Sequence, residues 1–146
     1  MTELRERLYS KQHKQAHDFC LQLEQQSEEN SELYAFMPLF LEMLASKNAF
    51  VRVRGFRLLC AQAKWDTDGL IDGHLPTILD ALDDEKPTNV RQYLSVITRI
   101  IEQKPHLAGQ IRLKLESLDL SKYKGSIQPL ICKDIYSLLT LMEAAL

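Results

Sequence analysis

The sequence predicts an all-α protein of about seven helices, arranged as an α-α superhelix: three helix-pair repeats behind an N-terminal capping helix. Three observations carry this expectation. Apolar residues recur at helical spacing along most of the 146 residues, and no sustained period-two run bounded by turn residues interrupts them. Five Gly and five Pro are too few for a loop-rich sandwich. A helix-pair pattern also recurs 38 residues along the chain. The length suits one domain, divided as a capping helix (1–30) and repeats at 31–66, 67–104 and 105–146.

Apolar positions 4, 8, 16, 19, 20 and 23 place a long amphipathic helix over 2–26. The polar run Gln25 to Ser31 ends it, and Asn30 or Ser31 can cap a second helix reaching about Ser46. Lys47-Asn48 is a short turn before a third helix, Phe50 to Lys64. Asp66-Thr67-Asp68 caps a fourth over 69–82, whose start is irregular because Gly69, Gly73 and Pro76 fall within it. After the charged turn 83–86, Pro87 opens a fifth helix to Lys104, and Pro105 stops it. A sixth runs from about His106 to Ser117. The polar connection 118–125 leads to Ser126, read as the cap of a last helix over 127–145.

Met37-Pro38-Leu39-Phe40-Leu41-Glu42-Met43-Leu44 and Leu75-Pro76-Thr77-Ile78-Leu79-Asp80-Ala81-Leu82 agree by residue class at seven of eight positions. Each is followed by a Val-Arg opening another helix, Val51-Arg52 and Val90-Arg91. A fainter third copy pairs Ile111, Leu115 and Leu118 with Ile127, Ile131 and Ile135, with Gln128 in place of the Arg. One such helix pair cannot cover its own apolar stripe, so stacked pairs build a continuous core. This pattern resembles the HEAT repeat of the armadillo-like superfamily over residues 31–145. The resemblance implies that the first-helix proline bends its helix and that Arg52 and Arg91 join turn aspartates in a ladder between repeats. Asp84 is a candidate partner; Ser46 and Lys47 stand where the first repeat would need one.

Charge is uneven. Residues 66–85 hold seven acids and no Lys or Arg, whereas 50–64 hold Arg52, Arg54, Arg57 and Lys64 and no acid. Positions 54, 57, 61 and 64 form a helical stripe. Gln92, Ser95, Arg99 and Gln103 match it on the fifth helix, and Lys133, Ser137 and Thr140 on the last. Second helices line the concave face in the resembled repeats. The resemblance therefore implies a modestly basic groove for an acidic or polar partner, with Arg54, Arg57, Lys64, Gln92, Arg99 and Lys133 as the candidate binding residues. The expected function is a non-catalytic protein-interaction or scaffold module. Charge reversal of Arg54, Arg57 and Arg99 is expected to abolish partner capture and leave the fold intact. The alternative is a nucleic-acid-binding or DNA-repair protein using the same groove, for which a net charge of −2 and little aromatic interleaving beyond Tyr93 are thin support.

No G-x-S-x-G, G-x-x-x-x-G-K or G-x-G-x-x-G occurs, so neither a catalytic residue nor a cofactor is expected. The HEAT-like alkylpurine DNA glycosylases suggest Trp65-Asp66 as an aromatic and an acid. Helix-end packing and capping account for that pair, and the chain is short for that family. His13, His17 and Cys20 share a helix face, but lack a fourth ligand and a general base, so no metal is assigned. Cys20, Cys60 and Cys132 read as buried, reduced thiols. With no signal-type h-region at the start and no apolar run of spanning length, the expectation is a cytoplasmic protein without membrane contact. Homo-oligomers through Leu138, Leu141, Met142 and Leu146 are a further possibility.

Overall fold

The computed structural model describes residues 2–145, all-helical with no strand among them; Met1 and the self-association candidate Leu146 lie outside the described residues. The helices are α1 (Thr2–Leu8), α2 (His13–Glu29), α3 (Met37–Met43), α4 (Ala49–Ala61), α5 (Leu70–Gly73), α6 (Leu75–Asp80), α7 (Pro87–Val96), α8 (Thr98–Gln103), α9 (Ala108–Ser117) and α10 (Gln128–Ala145). No described helix is long and apolar enough to cross a membrane.

Several expected helices are divided, each for a local reason. The first breaks at 9–12: the Leu8 and Ser10 carbonyls accept from the buried Arg54, and the Ser10 hydroxyl accepts from the Gln12 N–H at 3.1 Å. The second begins as a single 3-10 turn, Glu32–Phe36, whose Glu32 N–H is capped by Asn30. It restarts at Met37, one residue before Pro38. The same happens at Leu75 before Pro76, because proline has no N–H to give and fits only a first turn. The fifth is interrupted at Ile97, where Val96-Ile97-Thr98 stacks three β-branched residues and the Ser95 hydroxyl takes the Gln92 carbonyl at 2.6 Å. Asn48 caps α4 through Phe50 and Val51 N–H. The last helix opens two residues after Ser126, with the Gln128 amide on the Tyr123 carbonyl.

Helices α2, α4, α7 and α10 pack successively side by side, and α1, α3 and α9 each pack on one member of that row. The apolar stripes between them merge into one core that includes Leu8, Met37, Phe40, Phe56, Leu59, Ile78, Tyr93, Ile100, Ile111, Ile131 and Leu138. At Gly55 α3 and α4 approach closely, for a Cβ there would lie 2.5 Å from the Met43 Cβ and 2.9 Å from the Phe40 carbonyl oxygen. Cys20 and Cys60 are buried thiols, but Cys132 is exposed, correcting its expected burial. It sits on the outer side of α10, which has no further helix beyond it among the described residues.

Arg52 reaches Asp84 through two bonds, Nε at 2.9 Å and Nη2 at 3.0 Å. Its Nη1 also donates to the Ser46 and Lys47 carbonyls. Asp84 further accepts from the Tyr93 hydroxyl at 2.7 Å, Asn89 Nδ2 and the Lys86 N–H. Burial alone would raise the Asp84 pKa, but these donors outweigh it and hold the carboxyl below its ordinary value. Arg91 finds Asp134 on α10 at 2.7 Å.

Candidate interaction surface

The residues proposed for binding do not form one open stripe. Arg54 is 1% exposed, which corrects its assignment to the groove. Its guanidinium is turned inward, donating to the Leu8 and Ser10 carbonyls at 2.6 and 3.4 Å and to His13 Nδ1 at 2.9 Å. It therefore holds the bend between α1 and α2. A guanidinium only donates, so Nδ1 accepts and a neutral His13 carries its proton on Nε2.

Arg57, Gln92 and Arg99 do come together, around an acid that the stripe did not include. Glu24 on α2 accepts from Arg57 at 2.8 and 3.1 Å and from Arg99 at 2.7 Å, while Arg57 Nη1 donates to Gln92 at 2.8 Å. The Glu24 side chain is 6% exposed, against 13% for Arg57 and 31% for Arg99. Burial pushes the Glu24 pKa up, yet the bonds from Arg57 and Arg99 prevail and keep it below the usual glutamate value. Lys64 donates to the Glu28 carbonyl at 2.7 Å and lies over the Trp65 ring. Lys133 is exposed on α10 and makes no ion pair among the described residues. The signal for Glu24 was present in the sequence: it shares the apolar face of Ala16, Cys20, Leu23 and Ser27, and an acid at such a position needs a cationic partner.

The Trp65-Asp66 pair is fully engaged. Asp66 caps α5 through the Leu70 and Ile71 N–H groups at 2.9 Å each, accepts from the Tyr34 hydroxyl at 2.6 Å, and pairs with Lys104 at 3.1 Å. Trp65 Nε1 donates to the Ser27 carbonyl. No three His, Cys, Asp or Glu side chains among the described residues come together as a metal-binding group. The Cys20 thiol faces Glu24 and the Arg54 carbonyl instead.

What the row of helices leaves open is a groove of about 720 Å³ between α7 and α10. Thr88, Gln92, Ser95, Thr98 and Ser137 line it with hydroxyls and an amide; Leu94, Ile127, Leu138 and Leu141 supply apolar surface, and the Arg91–Asp134 pair bounds it. Ser95 and Ser137 belong to the stripe read from the sequence. No protein-family model, curated protein or solved structure matches this chain.

Proposed function

We propose that the protein is a short solenoid of HEAT-like repeats acting as a non-catalytic protein-interaction module, and that it holds a polar segment of a partner protein between α7 and α10. The repeat reading is supported by the matched helix restarts before Pro38 and Pro76 and by the Arg52–Asp84 and Arg91–Asp134 bridges between successive units. The binding reading is carried by the composition of the groove. Hydroxyl and amide groups above an apolar floor suit a peptide backbone with one or two apolar side chains. Among the cations named for the groove, Arg57 and Arg99 already hold Glu24, which favours a polar partner over an acidic one. Lys64 already lies 3.8 Å from the Glu28 carboxylate, so the nucleic-acid alternative keeps mainly Lys133 of the six named residues, too little for several phosphate contacts.

The test is selection of binders from a displayed random peptide library, measured against Ser95→Trp/Ser137→Trp, which fills the groove from two exposed positions. Selected peptides should bind the double variant at least about tenfold more weakly, with unchanged thermal stability. Peptides indifferent to the two tryptophans would sink the groove assignment. Duplex DNA binding that falls steeply with salt would favour the alternative.

A further inference from the structure

A second recess, of about 340 Å³, opens where the start of α2 meets α4 and α7. Its walls carry His13, Lys14, His17, Arg54, Thr88 and Asn89 over the rings and side chains of Phe50 and Val53, and not one Asp or Glu lines it. Burial of a positive charge normally calls for a carboxylate partner. Arg54 has none among the described residues: its partners are two carbonyls and an imidazole, which carry only partial charges. Arg52 and Arg57, on the same helix, each hold a buried carboxylate. In a poorly solvated wall, the uncompensated charge of Arg54 acts on the recess with little screening.

Three further features point the same way. Lys14 is exposed and also makes no ion pair among the described residues. Gln12, which precedes the seventeen-residue helix α2, supplies no side-chain cap to the first turn of that helix, whose His13 and Lys14 line the recess. Phe50 is 56% exposed, stacked on the His13 ring at 4.0 Å between centroids. It fixes the imidazole whose Nδ1 is held by Arg54. Asp84, which accepts from the recess residue Asn89, is neutralised by its bonds with Arg52 and Tyr93.

We propose that this recess binds a small oxyanion of the phosphate class, as free phosphate or as the phosphoryl group of a modified side chain. Lys14, His17 and the N–H groups opening α2 are its contacts, and buried Arg54 supplies the field. This site does not depend on the α7–α10 groove, although Thr88 and Gln92 border both.

The probes are inorganic phosphate and O-phosphoserine, titrated separately at low ionic strength into the full chain while amide resonances are followed. Saturable shifts are expected at His13, Lys14, Gln15 and Thr88. Lys14→Glu/His17→Gln, which leaves Arg54 in place, should weaken them by about tenfold or more, the worth of one or two charge-assisted bonds. Lys133→Glu should change nothing. Saturation by phosphate alone assigns a free ion, tighter binding of phosphoserine assigns a modified side chain, and either upholds the site. Shifts that fail to saturate, spread over unrelated lysines, or persist in the double variant would overturn it.

Discussion

Replacing Glu24 by Gln should destabilise the fold more than any other single change on the α2 surface. The carboxylate accepts three charge-assisted bonds, at 2.8, 3.1 and 2.7 Å, and is 6% exposed. Breaking a buried pair by removing one partner costs about 3–5 kcal/mol. Arg57 and Arg99 retain 13% and 31% exposure and can turn partly to water, so the lower end applies, about 3 kcal/mol. Arg57→Met should cost less, because Arg99 still satisfies Glu24. The pH dependence carries an independent signature. The folded Glu24 pKa is held below its ordinary value by the two arginines. Its contribution is therefore complete above the unfolded carboxylate range near about 4.3, and is lost as pH falls through the lower folded value. Urea unfolding of wild type and Glu24→Gln should differ fully at neutral pH and converge in acid. Equal midpoints at pH 7, or a gap that does not close in acid, would refute the role given to this ion triad.

Asp84→Asn removes the charge that Arg52 grips with two bonds and should lower stability by about 3–4 kcal/mol, seen as a Tm drop of roughly 6–15 °C. Gly55→Ala drives a methyl against Met43 and the Phe40 carbonyl; separation of α3 from α4 should cost about 1–3 kcal/mol by chemical denaturation, and an unchanged midpoint would mean the helices slide apart freely. Reversal of Arg54, Arg57 and Arg99 to Glu together should unfold the protein, because it places one carboxylate against the Leu8 and Ser10 carbonyls and two against Glu24. A native circular-dichroism spectrum with a cooperative melt for that variant would contradict the inward orientation of these side chains.

Which parts of this structure were legible in the sequence depends on how far each determinant lies along the chain. Apolar periodicity locates the helical segments because it is local, whereas Pro38 and Pro76, expected to lie within longer helices, mark the restarts at Met37 and Leu75. Arg52 and Asp84 could be paired since each sits at a fixed place in a repeated unit. The break between α1 and α2 could not be read, for its cause is a guanidinium 46 residues later. The burial of Arg54 and the pairing of Arg57 and Arg99 with Glu24 escape the sequence for a related reason. A helical wheel tells which side chains share a face, not what is laid over it. Glu24 stands 33 residues before Arg57 and 75 before Arg99, on a segment whose apolar spacing alone predicts a single helix. With α1 folded back on α2, that segment is a helix pair, and α2 joins the same row as α4, α7 and α10.

That placement sets the kind of partner the proposed groove would accept. A carboxylate competing for Arg57 or Arg99 must displace Glu24, which is almost wholly buried and would be left unpaired. A ligand carboxylate that reaches past Gln92 to take either arginine would give up about 3 kcal/mol, roughly two orders of magnitude in affinity. Discrimination against acidic segments then arises mainly from an internal contact, the one carboxylate lining the groove, Asp134, being paired with Arg91. Affinity has to come from apolar side chains on Leu94, Ile127, Leu138 and Leu141 and from hydrogen bonds to Ser95, Thr98 and Ser137. Such binding should vary little with salt. Glu24→Gln should loosen the selection by freeing the two arginines, so acidic peptides that wild type rejects become ligands of any variant that stays folded.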